Sequence, residues 1–305
     1  MSEPMVHISV CVCTFKRPAL LAELLGGLVN QSTGGQFDFS IVVVDNDCHA
    51  SARETVESFQ RASPRVIDYL VEEEQSIALA RNRTVAQAKG ELIAFIDDDE
   101  VPCESWLLTM YAALIKYKAD GVLGPVEPRF SVRPPEWVMK SGIFERPNGP
   151  GYRTGSVLDW RRTGTGNVLL RRGVFDGLEG PFRSRFGSGG EDLDFFRRAM
   201  EKGSVFVWCE EAIAYESVPV ERTRVSFQLK RALLRGKVAL SHPSSRGFGI
   251  LKSFAACGIY SFLLPLSLLR GRHVFLEYLI KDCDHLGKLL AFCGINAIRQ
   301  KYVIK

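Results

Sequence analysis

The sequence predicts an α/β protein: a mostly parallel central sheet flanked by helices, followed by a helical C-terminal extension. Three observations carry this. Short β-branched runs alternate with helical stretches from the start to about Val126. The runs are continuously apolar, and beyond Glu221 strands give way to basic and then apolar helical patterns. A strand that is apolar throughout is buried on both faces, as parallel strands covered by crossover helices are. At 305 residues, 46% hydrophobic and 24% charged, the chain suits one large domain or one domain plus an appendage. Its expected division is 1–220 and 221–305.

In order, "HISVCVC", "FSIVVVDN", "RVIDYLV", "ELIAFID" and "GVLGPVE" are expected strands. "PALLAELLGGLVNQ", "ARETVESFQRA", "SIALARNRTVAQA" and "ESWLLTMYAALIKY" are the helices between them. Residues 128–163 turn rich in Pro, Gly, Arg and aromatics, which predicts a long surface excursion of the kind that binds ligands. Order resumes at "GTGNVLLRRGVF". After the Gly-rich "RSRFGSGG", the helix "EDLDFFRRAMEKG" opens on two acids and closes at Gly203. "SVFVWC" and "AIAYESVP" are further strands.

In the extension, "RTRVSFQLKRALLRGK" mixes Arg222, Arg224, Lys230, Arg231, Arg235 and Lys237 with apolar residues, a pattern that suits anionic headgroups or a solvated helix face. Ser253 to Leu269 carries no charge but contains Pro265. That is just short of the ~20 apolar residues of a spanning helix. A helix embedded in a membrane surface, a re-entrant helix, and a helical hairpin buried against "HVFLEYLIKDCDHLGKLLAFCG" all satisfy the pattern.

A net charge of +4 is too mild to indicate nucleic-acid binding. The eight cysteines form no C-x-x-C pair, so reduced thiols in a cytoplasmic protein are expected and a zinc site is not. "MSEPMVHISVCVCTFKRP" has no basic leader and too short an apolar run for a signal peptide.

In an open parallel sheet, ligands gather at the carboxyl ends of the strands. Here those ends carry "TFKRP", "DNDCH" and "DDDE". Asp97 to Glu100 put four carboxylates directly after the apolar run Leu92 to Ile96, where they repel in poorly screened surroundings. A divalent cation, Mn²⁺ or Mg²⁺, takes hard oxygen ligands, and Asp97 and Asp99 are the alternate pair able to face one pocket and bridge a diphosphate. A solvated acidic turn capping the helix near Glu104 is the alternative. Asp45 ends the second strand as an acceptor suited to an imide N–H, or as an ordinary turn former. Arg81 and Arg83 are candidates for bidentate contacts to phosphate, or surface charge on a helix. Asn82-Arg83-Thr84 matches a glycosylation sequon, which has no meaning in the cytoplasm. Glu191, Asp192 and Asp194 open a helix after flexible glycines and offer either a general base or simple capping.

Taken together, "VCVCTFKRP", "IVVVDND", "SIALARNRT" with "AFIDDDE", and "GTGNVLLRR" followed by "GGEDLDFFRRAMEKG" resemble the bacterial family 2 glycosyltransferases of the GT-A, Rossmann-like fold. The likeness runs from about Met5 to Val220. "GNVLLRR" and "AYESVPVERTR" are similar to the exopolysaccharide, succinoglycan-type glucosyltransferases. The resemblance implies that Thr14, Lys16 and Arg17 line the nucleotide pocket and Asp45 contacts the base. It puts Arg81 near uracil or diphosphate, and Asp97 and Asp98 with the donor. Asp99, with Asp97, would ligate the metal, Asp192 would be the base and Glu191 would orient the acceptor. Many relatives place a His after the last sheet strand, where this chain has Tyr215 and Glu216. The Q-x-x-R-W of processive relatives becomes Gln228, Arg231 and Ala232, which implies addition of one sugar.

The expected function is a metal-dependent, inverting transfer of a hexose from a nucleotide sugar, UDP-glucose or a similar donor. The acceptor would be a glycan or lipid-linked oligosaccharide of a bacterial surface polysaccharide, at the cytoplasmic face of the inner membrane. Two other classes are open to the sequence: a sugar-nucleotide nucleotidyltransferase, disfavoured because "TFKRPALL" lacks the glycines of a triphosphate loop, and a non-catalytic membrane-associated binding protein.

Overall fold

The structure, a computed structural model, describes residues 5–145, 152–186, 189–240 and 248–298. The chain divides into two compact units, Met1–Arg129 with Arg146–Ser217, and Phe130–Glu145 with Val218–Lys305.

The first unit is built on a seven-stranded sheet of order β3-β2-β1-β4-β8-β6-β9. Its strands are β1 (Val6–Thr14), β2 (Phe37–Asp45), β3 (Ile67–Val71), β4 (Leu92–Ile96), β6 (Gly121–Leu123), β8 (Asn167–Arg171) and β9 (Phe206–Trp208). β3, β2, β1 and β4 are mutually parallel, while β8 enters antiparallel between β4 and β6. A smaller sheet has the order β5 (Glu100–Pro102), β10 (Ala214–Val218), β7 (Val126–Phe130).

Helices α1 (Pro18–Val29), α2 (Arg53–Ala62), α3 (Ile77–Gln87), α4 (Trp106–Lys116) and α6 (Glu191–Glu201) complete this unit; α5 (Glu136–Ser141) belongs to the second. α1 starts at Pro18, whose fixed φ suits a first helical position, and buries Leu21, Leu24, Leu25 and Leu28 at steps of three and four. Leucines of α1 join Trp106 and Met110 of α4 in one core. A second core gathers Phe95, Phe175, Phe182, Phe195 and Phe196, with Phe182 and Phe195 4.9 Å apart. The sheet is therefore sealed on both faces, as its continuously apolar strands require.

β8 is fixed by Asn167. Its Oδ1 accepts from Trp106 Nε1 at 2.7 Å, and its Nδ2 donates to Pro125 O at 2.7 Å and Ala212 O at 2.8 Å.

Residues 128–163 are less of an excursion than their composition suggests. They contain the end of β7, helix α5 and a 3-10 turn at Trp160–Arg162. Trp137, Val138 and Phe144 are buried in the core of the second unit, because its helices leave apolar surface for them to cover. Residues 146–151 of that stretch, and 187–188 of the Gly-rich turn, lie outside the described residues.

The second unit packs α7 (Val225–Ala239), α8 (Phe248–Ser267) and α9 (Arg272–Phe292) with α5. α7 and α9 approach through reciprocal glycines. A Cβ on Gly236 would stand 2.0 Å from Asp284 O, and one on Gly287 2.3 Å from Leu233 O. Ala232, where processive relatives carry Trp, is fully buried in this core. Gln228 is buried as well and donates to Arg222 O at 2.6 Å. Two of the cations expected to meet headgroups are engaged inside the unit: Arg235 pairs with Asp284 at 2.9 Å, and Lys237 donates to Asn296 Oδ1 at 2.8 Å.

Candidate active site

The parallel register builds the site. Thr14 pairs with Asp45, and Cys11 with Phe95. β1, β2 and β4 therefore end on one edge, with the acids after β4 level with the end of β1. Thr14 Oγ1 donates to Asp98 Oδ2 at 2.8 Å. In the turn that follows, Lys16 takes a left-handed φ of 55°, uncommon for a side chain with a Cβ. Lys16 itself is exposed over the Phe15 ring, whereas Arg17 turns inward. Arg17 Nη1 reaches Asp98 Oδ1 at 3.0 Å and Asp99 Oδ2 at 3.2 Å. Burial opposes a charged guanidinium here, but Asp98 and Asp99 outweigh it and hold Arg17 above its ordinary range.

The acids do not all face one point. Asp98 is buried against Thr14 and Arg17, and burial pushes its carboxyl up against the pull of Arg17. Asp97 turns to Arg81, at 3.5 Å. Asp99 lies beside Glu216 of β10, whose neighbour Ser217 donates its N–H to Asp99 O at 2.7 Å. Burial, then Glu216, Asp98 and Asp97, push the Asp99 carboxyl up to about 6, with Arg17 opposing. Crowded acids of this kind call for a proton or a cation, and the carboxylates offer hard oxygens. A divalent ion held by Asp99, with Asp97 on the same loop and Glu216 adjacent, fits that set. Among the described residues, the triple of metal-type side chains whose ligand atoms already converge is a different one, Asp47, Cys48 and His49. Two of these are exposed, and His49 N–H bonds Asp47 Oδ1 at 3.3 Å as in an ordinary Asx turn.

A second set of residues meets this loop through α3. Arg81, buried on α3, pairs with Glu191 at the start of α6 as well as with Asp97. Burial disfavours its charge, but Glu191, Asp97 and Asp192 hold it ionised, above its ordinary range. Glu191 is pushed up to about 7 by burial, Arg81 pulling against this and Asp192 adding to it. Its Oε2 has no hydrogen-bond partner among the described residues. Asp192 is half-buried, and a Cβ on Gly164 would lie 3.6 Å from its Oδ2. The Gly164 turn before β8 therefore borders it. Asp194 serves elsewhere, drawing Arg198 to 2.9 Å, Arg197 to 3.1 Å and Arg183 to 3.6 Å.

The loops bring together Thr14, Arg17, Asp97, Asp98, Asp99, Arg81, Glu191 and Asp192, but Lys16 and Asp45 stand apart. Asp45 is fully buried and already accepts from Ala52 N at 2.7 Å, Tyr69 Oη at 3.0 Å and Asp47 N at 3.1 Å. Its carboxylate organises the turn after β2. Arg83 is exposed, 3.4 Å from Glu72. Asn82 of the sequon is engaged internally: its Nδ2 donates to Phe182 O at 2.7 Å and its Oδ1 accepts from Phe182 N at 2.9 Å. Together, Asn82 and Arg81 bind α3 to the segment that leads into α6. Sequence reasoning gave Asn82 no such role, and its position beside Arg81 was the only signal. Asn46 was also passed over; it pins the loop before α3 by donating to Glu72 O and Glu74 O and accepting from Ser76 N.

Comparison with known proteins gives this edge its context. The family model described as Glycosyl transferase family 2 matches residues 9–177. The succinoglycan biosynthesis protein ExoM of Rhizobium meliloti (strain 1021) is 34% identical, over 98% of this chain and 97% of its own length. The hyaluronan synthase of Pasteurella multocida is 25% identical over 70% of this chain, which spans only 25% of that protein. Among solved structures, S. aureus TarS 1-349 superposes with a TM-score of 0.54 at 16% identity, covering 94% of this chain and 92% of that one. GalNAc-T7, solved with UDP, GalNAc and Mn²⁺, gives 0.54 at 14% identity over 78% of this chain and 48% of that one. At such identities the likeness speaks for the fold, which is GT-A. With the family's own model covering β1 to β8 and a relative aligned almost end to end, the chain belongs to glycosyl transferase family 2 and is a glycosyltransferase.

Proposed function

We propose that the chain transfers one hexose from a UDP-sugar, UDP-glucose in the first instance, to a glycan or lipid-linked oligosaccharide of a bacterial surface polysaccharide. It does so with inversion, at the cytoplasmic face of the inner membrane. The observation that carries this is the bridge made by Arg81, which ties the Asp97–Asp99 loop to the helix end bearing Asp192. A donor diphosphate held at the first and an acceptor hydroxyl at the second would lie on one sheet edge. The succinoglycan-related relative supports the polysaccharide setting, and TarS solved with UDP and with UDP-GlcNAc supports a uridine diphosphate donor.

In the reaction, Asp192 takes the proton of the acceptor hydroxyl as its oxygen attacks the anomeric carbon. The bond from that carbon to the diphosphate breaks, and UDP leaves with the electron pair. Arg17, with Thr14 orienting Asp98 beside it, meets the negative charge on the leaving diphosphate. Asp99 and Asp97 would hold Mn²⁺ or Mg²⁺, which neutralises phosphate charge when bound. Glu191 fixes Arg81 and, through it, the spacing of the two halves. Asp45 supports the base pocket by shaping the turn after β2.

A screen of nucleotide sugars for hydrolysis and transfer tests this. A UDP-hexose should be consumed by the native chain in Mn²⁺, and not by Asp99→Ala. Turnover by Asp192→Ala at the native rate would remove the base assignment.

A further inference from the structure

α8 of the second unit is polar toward its neighbour and apolar toward its surroundings. On the side facing α9, Ser253 Oγ lies 3.3 Å from His285 Nδ1 and Ser261 Oγ 3.3 Å from Asp282 Oδ2. Cys257 lies near the same Asp282, and the Tyr260 ring lies 5.6 Å from Tyr278 and 5.9 Å from His285. The opposite side, continued into the turn that ends α8, carries Leu251, Phe254, Ile259, Phe262, Leu266 and Leu269 at helical spacing. Each is more than half exposed, Phe262 at 74% and Leu269 at 86%. A helix in water turns its apolar stripe to the core. One with the reverse order is matched to apolar surroundings, and a continuous exposed stripe of this length marks an interaction face.

Charge identifies the occupant. Ser253 to Leu269 is uncharged, and the cations Lys252, Arg270 and Arg272 stand exposed at its two ends. Apolar side chains framed by cations match the boundary between acyl chains and anionic headgroups. We propose that the outer face of α8 lies in the interfacial layer of an anionic lipid bilayer, along the surface and not across it.

Length alone would permit a span, since the apolar helix runs 22 residues, Gly249–Arg270. α9 argues against one. The two helices run antiparallel in contact along their length, Lys288 reaching Gly249 O at 3.3 Å near one end and Tyr278 meeting Tyr260 toward the other. A crossing α8 would draw Lys281, Asp282, Asp284 and Lys288 of α9 into hydrocarbon, where charged groups are costly. Lying flat leaves α9 on the water side. This deepens the reading of a lipid-linked acceptor and rests on it for its setting, but not for its test.

The test is flotation of the full chain with vesicles of phosphatidylcholine alone or mixed with phosphatidylglycerol, with no sugar nucleotide present. The native chain should float with the anionic vesicles and only weakly with the neutral ones. Phe254→Ser with Phe262→Ser should cut partition by about tenfold or more while far-UV circular dichroism is unchanged. Lys252→Glu with Arg270→Glu should remove the preference for phosphatidylglycerol. Flotation of the serine variant like the native chain would overturn the inference. So would a native chain that ignores vesicles and forms a discrete dimer broken by the serine substitutions, because α8 would then cover a second copy. Hydrolysis of UDP-glucose by the same samples reads the carboxylate site separately: a native chain that hydrolyses UDP-glucose but does not float with anionic vesicles sinks the lipid inference alone.

Discussion

Arg17 and Asp99 form an ion pair at 3.2 Å in which the same guanidinium nitrogen also holds Asp98 at 3.0 Å. One side chain from the end of β1 thus supplies counter-charge to two acids after β4. Removing it strips charge from the proposed diphosphate position and leaves Asp98 buried beside other acids. Arg17→Ala is expected to weaken UDP binding by about tenfold or more, measured by calorimetry, and Arg17→Lys to restore only part of it, since a lysine lacks the planar fork.

Asp99 gives the site a pH dependence. Its carboxyl is pushed up to about 6 from an ordinary 3.8, so between those values the folded chain keeps a proton that the unfolded chain has released. Stability without metal therefore declines as pH rises from about 4 to about 6 and levels off above. Metal binding needs the ionised form and runs the other way, so the rise in melting temperature on adding Mn²⁺ should be larger at about pH 7 than at about pH 5. Melts across that range check both signs.

Much of this edge was legible before any coordinates. Continuous apolar runs such as "IVVVD" announce strands buried on both faces, and polar residues at their ends point to the candidate site. Pairings between distant residues were not legible. Nothing local to "SIALARNRT" says that Arg81 meets Glu191, 110 residues later, and nothing local to "GTGNVLLRR" says that β8 enters antiparallel beside β4. Asp45 shows a further limit. Its type and place suit a base contact, and nothing local tells that three donors also reach it, because burying a carboxylate obliges the fold to satisfy it. Likewise, α8 has an apolar composition that fits a core as well as a membrane; the polar face it gives to α9, on which the lipid proposal rests, is not visible in composition.

Glu191 and Asp192 are adjacent but should fail differently. Asp192→Asn is expected to bind UDP-glucose like the native chain, to melt at the same temperature and to lose about 10²- to 10⁴-fold in transfer. Glu191→Ala removes one of the two carboxylates that Arg81 pairs with, leaving it buried beside Asp97, and should lower stability by about 3 kcal/mol or more. Single-turnover transfer assays and thermal melts on both variants separate the proton acceptor from the residue that fixes Arg81.

Asn167 is a wholly structural node. Its amide satisfies the Trp106 indole and the carbonyls of Pro125 and Ala212 inside the sheet. Asn167→Leu takes the partner from the buried Trp106 N–H and Ala212 O, while Pro125 O keeps the Ala214 N–H at 3.0 Å, and should cost about 2–4 kcal/mol, measured by urea unfolding, against less than about 0.5 kcal/mol for an exposed control such as Glu73→Gln.

The claim that the acids after β4 gather a divalent ion together with a nucleoside diphosphate is tested most directly by titrating UDP into the native chain and into Asp99→Asn, each with and without Mn²⁺. Native binding that strengthens markedly with Mn²⁺, and an Asp99→Asn chain that has lost this strengthening, is the predicted result. Equal Mn²⁺-dependent affinity in both chains, or no UDP uptake by the native chain in Mn²⁺, would contradict it.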